Sequence, residues 1–233
     1  LDMVGMTRAH IADPHIINKI INKRESSIRP CVGATYCLDR IYEGNEALCI
    51  HNPATGREKF IPHEITEVAN QKRKIIIIGA GPAGLEAARV SAERGHKVTL
   101  TEALDYLGGQ FRLAGMQPRR GQILDLLDWY ERQLCQLGVE IRLNTLSDTN
   151  NIREFAADTT ILATGSYPNN TVFQKAIPHV EKLPGIELGG VFSAEDVMAR
   201  RVRLGKKILV LDEGGNWKGC GTAWKLAQEG HKV

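Results

Sequence analysis

The strongest hydrophobic pattern in the chain is a run of four isoleucines at residues 75–78, which ends in a glycine-rich turn. A short apolar run bounded by a turn is typical of a buried strand, and the alanine-rich segment after this turn has the pattern of a helix. A second short strand is predicted over residues 98–101. The chain is therefore predicted to contain a strand–turn–helix–strand unit of an α/β protein with a parallel sheet.

Further helices and strands follow from the same reasoning. Beyond the first unit, the pattern predicts an amphipathic helix over 121–137, a strand over 139–143, a strand that begins at 158, and a helix over 194–200 capped by Ser193. Residues 206–233 repeat the order of strand, glycine-rich turn and helix, which predicts a second Rossmann-like unit.

The amino-terminal end has a pattern of its own. Met3 and Val4 predict the end of a strand, and Asp13 followed by Pro14 predicts the start of a helix. The apolar face of that helix is predicted to consist of four isoleucines, Ile16, Ile17, Ile20 and Ile21.

The turn after the first strand reads GAGPAG, which matches the dinucleotide-binding pattern GxGxxG. Gly79 permits the tight turn, Gly81 lets the backbone approach a pyrophosphate, and Gly84 lets the helix pack close to the strand. The helix presents free N–H groups and the positive end of its dipole to the phosphates. The predicted nucleotide-binding residues of this turn are Gly79, Gly81, Pro82, Ala83 and Gly84.

An acidic residue, Glu102, stands at the tip of the second predicted strand. A carboxylate there can accept hydrogen bonds from a ribose diol, and its charge disfavours a 2′-phosphate. The unit therefore suits an ADP moiety, and the alternative is a glycine-rich turn that binds no ligand.

Composition and charge narrow the function classes. With 233 residues and a net charge of +3, the chain can bury a sizeable core and lacks the strong positive charge of nucleic-acid-binding proteins. No apolar run reaches membrane-spanning length, and no secretory signal is visible. We therefore expect a cytoplasmic protein that binds no nucleic acid and spans no membrane. Because the sequence starts inside an apolar segment and stops as a new strand begins, we also expect the middle of a larger chain.

Three cysteines lie close together in the sequence: Cys31, Cys37 and Cys49. Without a secretory signal a disulfide framework is not favoured, and closely spaced thiolates in a reducing compartment favour a metal or iron–sulfur site. A [4Fe–4S] cluster normally takes four ligands, and only three cysteines are here. The alternative is that some of them are simply buried thiols.

The residues around these cysteines resemble the multidomain old-yellow-enzyme-like flavoproteins. This family includes trimethylamine dehydrogenase, 2,4-dienoyl-CoA reductase, and the N-methylproline and dimethylglycine demethylases. The segment GMTRAHIADP is similar to the family's last (β/α)8-barrel strand and the turn after it, and the segment from residue 28 to 58 is similar to its cluster loop. The resemblance implies that Arg8 handles the phosphate of FMN, and that Cys31, Cys37 and Cys49 bind the cluster.

One position departs from the family's pattern. Ala34 stands where the family has a further cysteine, and alanine cannot ligate iron. The open possibilities are a three-cysteine cluster with Asp39 or His51 as the other ligand, a three-iron cluster, or no cluster.

Two later segments resemble the flavin-nucleotide site of the same family. The paired glycines before Gln110 suit a loop that passes close to phosphates, and an ordinary loop is the alternative. The strand that begins at residue 158 runs into Ala-Thr-Gly, which is similar to the family's second flavin-nucleotide motif. The resemblance implies that Gly109, Gln110, Thr164 and Gly165 contact FAD, or ADP in its place.

The glycine-rich turn of the second unit departs from the nicotinamide-binding pattern. Asp212 and Glu213 put negative charge where phosphates would lie, and Trp217 is bulky where a close backbone approach is needed. We therefore predict a degenerate Rossmann-like domain kept for structure. Because reductases of the resembling family take electrons from NADPH at this domain, the degenerate turn favours the amine-oxidising branch.

Together these observations predict an α/β chain of several parts. Residues 1–60 are predicted to be the end of an FMN barrel with its cysteine-rich cluster loop, 61–73 a linker, 74–200 the first part of a Rossmann-like FAD- or ADP-binding domain, and 201–233 the start of the degenerate domain. No catalytic residue is predicted, and we expect no turnover from this chain alone.

The resemblance also implies a function for the parent protein. We expect a flavin-dependent oxidoreductase that demethylates or dehydrogenates a small N-methylated amine and relays electrons through the cluster loop. An electron-transfer acceptor protein and a homo-oligomer are compatible with this function. The alternatives are an NAD(P)H-dependent dienoyl-CoA or enoate reductase and, in another class, a non-redox ADP-binding module.

Overall fold

A computed structural model describes residues 2–68, 70–168 and 172–233. The helices are α1 (Thr7–Ala12), α2 (Ile16–Ile21), α3 (Tyr36–Tyr42), α4 (Pro82–Glu93), α5 (Gly109–Gly115), α6 (Gln122–Gln136), α7 (Thr149–Glu154), α8 (Ala194–Met198) and α9 (Trp217–Gln228), with 3-10 turns at Glu25–Ser27 and Ile186–Leu188. The strands are β1 (Lys74–Ile78), β2 (Lys97–Thr101), β3 (Glu140–Arg142) and β4 (Thr159–Leu162).

The four strands form one parallel sheet in the order β3-β2-β1-β4. Ile75 of β1 pairs with Val98 of β2 on one side and with Thr159 of β4 on the other. The chain winds from β1 outward to β3 on one side and then returns to place β4 on the opposite side, so a topological switch point lies between β1 and β4. This arrangement confirms the predicted α/β, Rossmann-like fold.

The core lies where β1 and β2 meet α4 and α6. The four isoleucines of β1 are buried, as a continuous apolar run in a central parallel strand requires. Leu85 of α4 and Leu134 of α6 are fully buried, and α4 contacts both central strands and α6. Gly138 follows α6 with a φ of +69°, a conformation that glycine adopts without strain.

The described chain divides into two compact units. One comprises residues 1–112 and 122–164, and the other comprises 113–121 and 165–233. The first contains the four-stranded sheet. The second contains α8, whose predicted cap is confirmed because Ser193 Oγ accepts a hydrogen bond from the Asp196 N–H (3.0 Å). Among the described residues, no helix combines the length and the apolar character that a membrane span needs.

Several local predictions were wrong. The amino-terminal strand is absent from the described residues: Met3 and Val4 are irregular and exposed. The helix predicted to start near Asp13 and Pro14 begins at Ile16. The Asp13 carboxylate accepts hydrogen bonds from the His15 N–H (3.1 Å), Lys19 Nζ (2.6 Å) and the Arg29 N–H (2.8 Å).

The strand predicted to open the second unit also forms only in part. A strand needs a partner along its length. In the part of the chain that the structure describes, residues 206–211 make one isolated parallel bridge, between Lys207 and Lys232.

Candidate functional site

The glycine-rich turn after β1 closes against the segment after β4. Gly79 has a φ of +98°, and its N–H donates to the carbonyl oxygen of Thr101 (2.8 Å). A Cβ atom added at Gly79 would overlap the carbonyl oxygen of Ala163, which directly follows β4. Both the positive φ and this close approach require glycine. The GAGPAG turn and the Ala-Thr-Gly segment are therefore in contact.

Gly81 and Gly84 have opposite surroundings. Gly81 is the N-cap of α4, and a Cβ atom added there would have no neighbour within 4 Å in the described part of the chain. A Cβ atom added at Gly84 would overlap the carbonyl oxygen of Gly79. Pro82 and Ala83, between them, are exposed. Gly84 thus serves the packing of helix on strand, whereas the open space at Gly81 leaves room for a ligand at the positive end of α4.

Glu102 follows β2 and is half-buried beside the same turn. Its Oε2 atom accepts a hydrogen bond from the Ala80 N–H (2.8 Å), and its Oε1 atom accepts one from the Leu104 N–H (3.0 Å). Each carboxylate oxygen can accept more than one hydrogen bond. The two backbone donors therefore orient the carboxylate and leave it able to accept from a ribose hydroxyl.

The Gly-Gly-Gln segment lies against the glycine-rich turn. The Gly108 N–H donates to the carbonyl oxygen of Ala80 (2.8 Å), and a Cβ atom added at Gly109 would lie 3.5 Å from Gly81 Cα. Gly109 begins α5, a helix that the sequence did not predict, and Gln110 is exposed on its first turn.

Most of the predicted nucleotide-binding residues therefore lie at one edge of the sheet. The carboxyl ends of β1, β2 and β4 bring together Gly79, Gly81, Pro82, Ala83, Gly84, Glu102, Gly109 and Thr164. Gly165, next to Thr164, is exposed and has a φ of +73°. Ligands of open α/β sheets bind at this edge, beside the switch point.

A group of charged side chains that the sequence did not reveal connects Arg29, two residues before the first cysteine of the pocket described below, to helix α4 beside the sheet. Glu86 on α4 accepts hydrogen bonds from Arg89 Nη2 (2.7 Å) and Nε (2.9 Å). Arg29 approaches the same carboxylate at 3.6 Å, and the Tyr130 hydroxyl donates to it at 3.1 Å. The Arg29 guanidinium also lies over the Trp129 ring, 4.7 Å from its centroid.

The protonation of Glu86 follows from these partners. Burial by itself raises the pKa of the Glu86 carboxyl, but the hydrogen bonds and charge of Arg89, with the charge of Arg29, hold the pKa below its ordinary value. The carboxylate is therefore charged at neutral pH. A sequence signal existed, because Glu86, Arg89 and Glu93 lie at i, i+3 and i+7 in an otherwise alanine-rich helix.

The three cysteines line one pocket near the amino-terminal end of the chain. The lining includes Arg8, Cys31, Ala34, Cys37, Cys49 and His51. Arg8, predicted to handle an FMN phosphate, lies on α1 at the pocket and is exposed. Cys37 lies on α3, which the sequence did not predict.

Cys49 is half-buried at this pocket. Its sulfur accepts hydrogen bonds from the backbone N–H groups of His51 and Asn52, which lower its pKa, but burial dominates and raises the pKa of the Cys49 thiol. Backbone N–H groups aimed at a cysteine sulfur are a recurring feature of iron–sulfur sites. The donor set therefore fits an iron–sulfur group.

The two alternative ligands differ in their surroundings. His51 is 8% exposed, and its Nδ1 atom is buried without a hydrogen-bond partner among the residues that the structure describes. Burial, and secondarily the charge of Arg29, lowers the pKa of His51 to about 4, so the imidazole is neutral at pH 7. Asp39 is exposed on α3 and is not part of the pocket lining. Within residues 2–68, 70–168 and 172–233, no three His, Cys, Asp or Glu side chains converge closely enough to hold a single metal ion.

The second glycine-rich turn is occupied by its own carboxylate. Asp212 Oδ1 accepts hydrogen bonds from the N–H groups of Gly214 (3.0 Å) and Gly215 (3.1 Å). A Cβ atom added at Gly219, in the first turn of α9, would overlap the Asp212 carboxyl group. Asp212 therefore takes N–H donors and space that a phosphate would need.

Comparison with known proteins identifies relatives over the whole chain. The family model described as pyridine nucleotide-disulphide oxidoreductase matches residues 73–233. The chain is 46% identical over 233 residues to a probable N-methylproline demethylase from Rhizobium meliloti, and 45% identical over 234 residues to an N,N-dimethylglycine/sarcosine dehydrogenase from Chromohalobacter salexigens. Each match covers 100% of this chain and 33% of the relative, so the chain spans about a third of these proteins.

A solved structure is also similar to this chain over its whole length. The 6-hydroxypseudooxynicotine amine oxidase from Pseudomonas geniculata superposes with a TM-score of 0.90 at 32% identity. The match covers 100% of this chain and 35% of that protein.

Proposed function

The chain belongs to the pyridine nucleotide-disulphide oxidoreductase family and, with its relatives, to the multidomain old-yellow-enzyme-like flavoproteins; from this premise we propose that it is the nucleotide-binding part of an amine-oxidising flavoenzyme. The parent protein would demethylate or dehydrogenate a small N-methylated amine. An acceptor protein would then receive the electrons.

The observation that carries the proposal is the open space beside Gly81. It lies at the positive end of α4, next to Gly109 and the oriented carboxylate of Glu102. A pyrophosphate fits the open space at the positive end of α4, and an adenosine ribose fits the Glu102 carboxylate. The ligand of this edge is therefore FAD, or ADP in its place.

In this proposal the chain's own residues bind and orient the nucleotide. The N–H groups at the start of α4 hold the pyrophosphate, and Glu102 accepts from the ribose. Gly109 lets the backbone of α5 approach the phosphates, and Thr164 and Gly165 line the exit from β4. A flavin bound in the parent protein would supply a hydride acceptor for the amine, and an iron–sulfur cluster would supply one-electron transfer.

The amino-terminal residues belong to the same proposal. Residues 1–60 would complete an FMN barrel, with Arg8 at the flavin phosphate and Cys31, Cys37 and Cys49 on the cluster. Residues 74–200 would be the nucleotide domain, and 201–233 the start of the degenerate one. The fit of the cysteine pocket to an iron–sulfur group supports this division.

An absorbance spectrum of the full-length protein tests the function. We expect N-methylproline or N,N-dimethylglycine, added anaerobically, to bleach the flavin band, because the amine supplies the hydride. Proline and glycine, which lack the N-methyl group, are the matched controls and should leave the band unchanged. Bleaching by NADPH without an amine would overturn the proposal in favour of a reductase. ADP binding without any flavin band would instead favour the non-redox module.

A further inference from the structure

The cysteine pocket has three sulfur donors and one position that cannot donate. Cys31, Cys37 and Cys49 line it together with Ala34, whose methyl group offers iron no lone pair. A four-iron cluster usually takes one protein ligand on each iron, so the three cysteines leave one iron for another donor. The ligands of a cluster surround it and do not meet at one point. A cluster is therefore compatible with the finding that no three such side chains among the described residues converge on a single metal ion.

His51 is the residue that the structure offers as this donor. His51 is one of the residues that line the pocket and is 8% exposed, and its Nδ1 atom is buried with no hydrogen-bond partner in the described part of the chain. A buried polar atom without a partner is costly, and ligation by a metal removes that cost. Asp39 does not compete, because its carboxylate is exposed and approaches Thr35 Oγ1 at 3.5 Å.

The backbone around His51 is fixed by partners on both sides. Arg29 donates from Nη1 to the carbonyl oxygen of His51, and the His51 N–H points at the Cys49 sulfur. Asn52 Nδ2 donates to the carbonyl oxygen of Ile11 (2.9 Å) and ties the segment to α1. These contacts fix the backbone of residue 51, and among the described residues the Nδ1 atom of its imidazole has no hydrogen-bond partner.

We propose that His51 is the fourth ligand of a [4Fe–4S] cluster whose other ligands are Cys31, Cys37 and Cys49, in place of the cysteine that Ala34 replaces. The inference rests on the proposed function, since that function supplies the cluster. The cluster would then have three thiolate ligands and one neutral imidazole ligand, and the imidazole would bind iron through its Nδ1 atom. A neutral nitrogen in place of a thiolate makes the cluster site less negative, and imidazole ligation raises the reduction potential.

Pulsed EPR on the reduced, anaerobically purified full-length protein tests the ligand directly. We expect a nitrogen hyperfine coupling of directly coordinated imidazole, and we expect that coupling to change when the protein is grown with 15N-histidine. This measurement needs no substitution, so it does not depend on a variant that folds. A four-iron signal with no change on 15N labelling would overturn the proposal, as would a three-iron signal or the absence of iron and acid-labile sulfide.

Variants give a second readout. His51→Cys should keep the four-iron cluster, lose the nitrogen coupling and lower the reduction potential, because a thiolate replaces a neutral ligand. His51→Ala combined with Ala34→Cys should bind the cluster as an all-cysteine site. Asp39→Asn is the matched control and should change neither the coupling nor the potential; a loss of the cluster in this variant would identify Asp39 as the ligand instead.

The failure of this inference can be told apart from the failure of the proposed function. If amine bleaches the flavin but the cluster has no histidine ligand, only the ligand assignment is wrong. If amine leaves the flavin unchanged while the nitrogen coupling is present, the ligand assignment stands and the function is wrong.

Discussion

Gly81 and Gly84 lie three residues apart in one turn, and an added methyl group meets different surroundings at each. Gly81→Ala should leave the fold intact and weaken ADP binding by about tenfold or more, because the methyl group projects into the space for the pyrophosphate. Gly84→Ala should cost about 3 kcal/mol of the free energy of unfolding, because the methyl group overlaps the carbonyl oxygen of Gly79. Urea unfolding and calorimetric titration with ADP measure the two effects.

Gly5→Ala is the control for both variants, since an added Cβ atom there meets nothing within 4 Å and the backbone φ is ordinary. Unchanged ADP affinity in Gly81→Ala would contradict the placement of the phosphate beside this residue.

Glu102 sets a different property, the choice between ribose with and without a 2′-phosphate. Glu102→Gln removes the charge that repels a phosphate and keeps one of the two oxygens that accept from the Ala80 and Leu104 N–H groups. We expect the preference for ADP over 2′-phosphorylated ADP to fall by about tenfold. Competition titrations with the two nucleotides measure the ratio. Glu140→Gln, at an exposed carboxylate on β3, is the control and should leave the ratio unchanged.

At the scale of elements, the charged network between α4, α6 and the cysteine segment should contribute strongly to stability. Glu86→Gln removes the charge of a carboxylate that is 20% exposed, so Arg29 loses its carboxylate partner and Arg89 keeps Glu93 as its charged partner. We expect a loss of about 3 kcal/mol in the free energy of unfolding. Glu93→Gln, at a more exposed partner of Arg89, should cost less than about 1 kcal/mol. Equal losses in the two variants would contradict the role assigned to Glu86.

The same carboxylate predicts a pH dependence. Its pKa is lower in the folded protein than in the unfolded chain, so the unfolded chain binds a proton first as the pH falls. The stabilisation is therefore present above the ordinary pKa of the carboxyl, declines as the pH falls below it, and is lost below the folded-state pKa. Urea unfolding at a series of acidic pH values should show a shallower decline in Glu86→Gln than in the unmodified protein. Parallel curves would show that another group carries the pH dependence.

The sequence correctly predicted the elements in which the buried positions follow a regular pattern along the chain. The isoleucines of β1 form a central strand, and the apolar positions of α6 form one face, so tertiary packing and sequence pattern agree. The missed helices have weaker signals. Helix α5 begins at Gly109, a poor helix former, and α7 is mostly polar, although Asp148 caps it by accepting from the Asn150 and Asn151 N–H groups.

The sequence identified the residues of the candidate site but not the contacts that hold the surrounding segments in place. The glycines of the first turn and Glu102 are predictable, because each has a fixed place in a strand–turn–helix unit. The contact of Arg29 with Glu86 joins residues 57 positions apart, which no local pattern encodes. The choice between Asp39 and His51 likewise depends on which side chain is buried, and burial at an irregular segment follows from tertiary structure alone.

For the whole molecule, the two glycine-rich turns predict an asymmetric response to nucleotides. The first turn presents open space at Gly81, whereas the second holds the Asp212 carboxylate on its own N–H donors. A bound phosphate would have to displace this carboxylate and would be repelled by it. The full-length protein should therefore bind ADP at the first turn and should not be reduced by NADPH.

Asp212→Asn tests that asymmetry, because asparagine keeps the oxygen that accepts from Gly214 and Gly215 but removes the negative charge. We expect the affinity for NADPH to rise by about tenfold while the affinity for ADP at the first turn is unchanged. Glu213→Gln is the control for net charge, since the Glu213 carboxylate accepts from the Lys175 N–H and makes no such bond within the turn. Titration of both nucleotides against the three proteins gives the comparison. An equal rise in both variants would show that general electrostatic repulsion, and not the charge held within the turn, excludes the nicotinamide nucleotide.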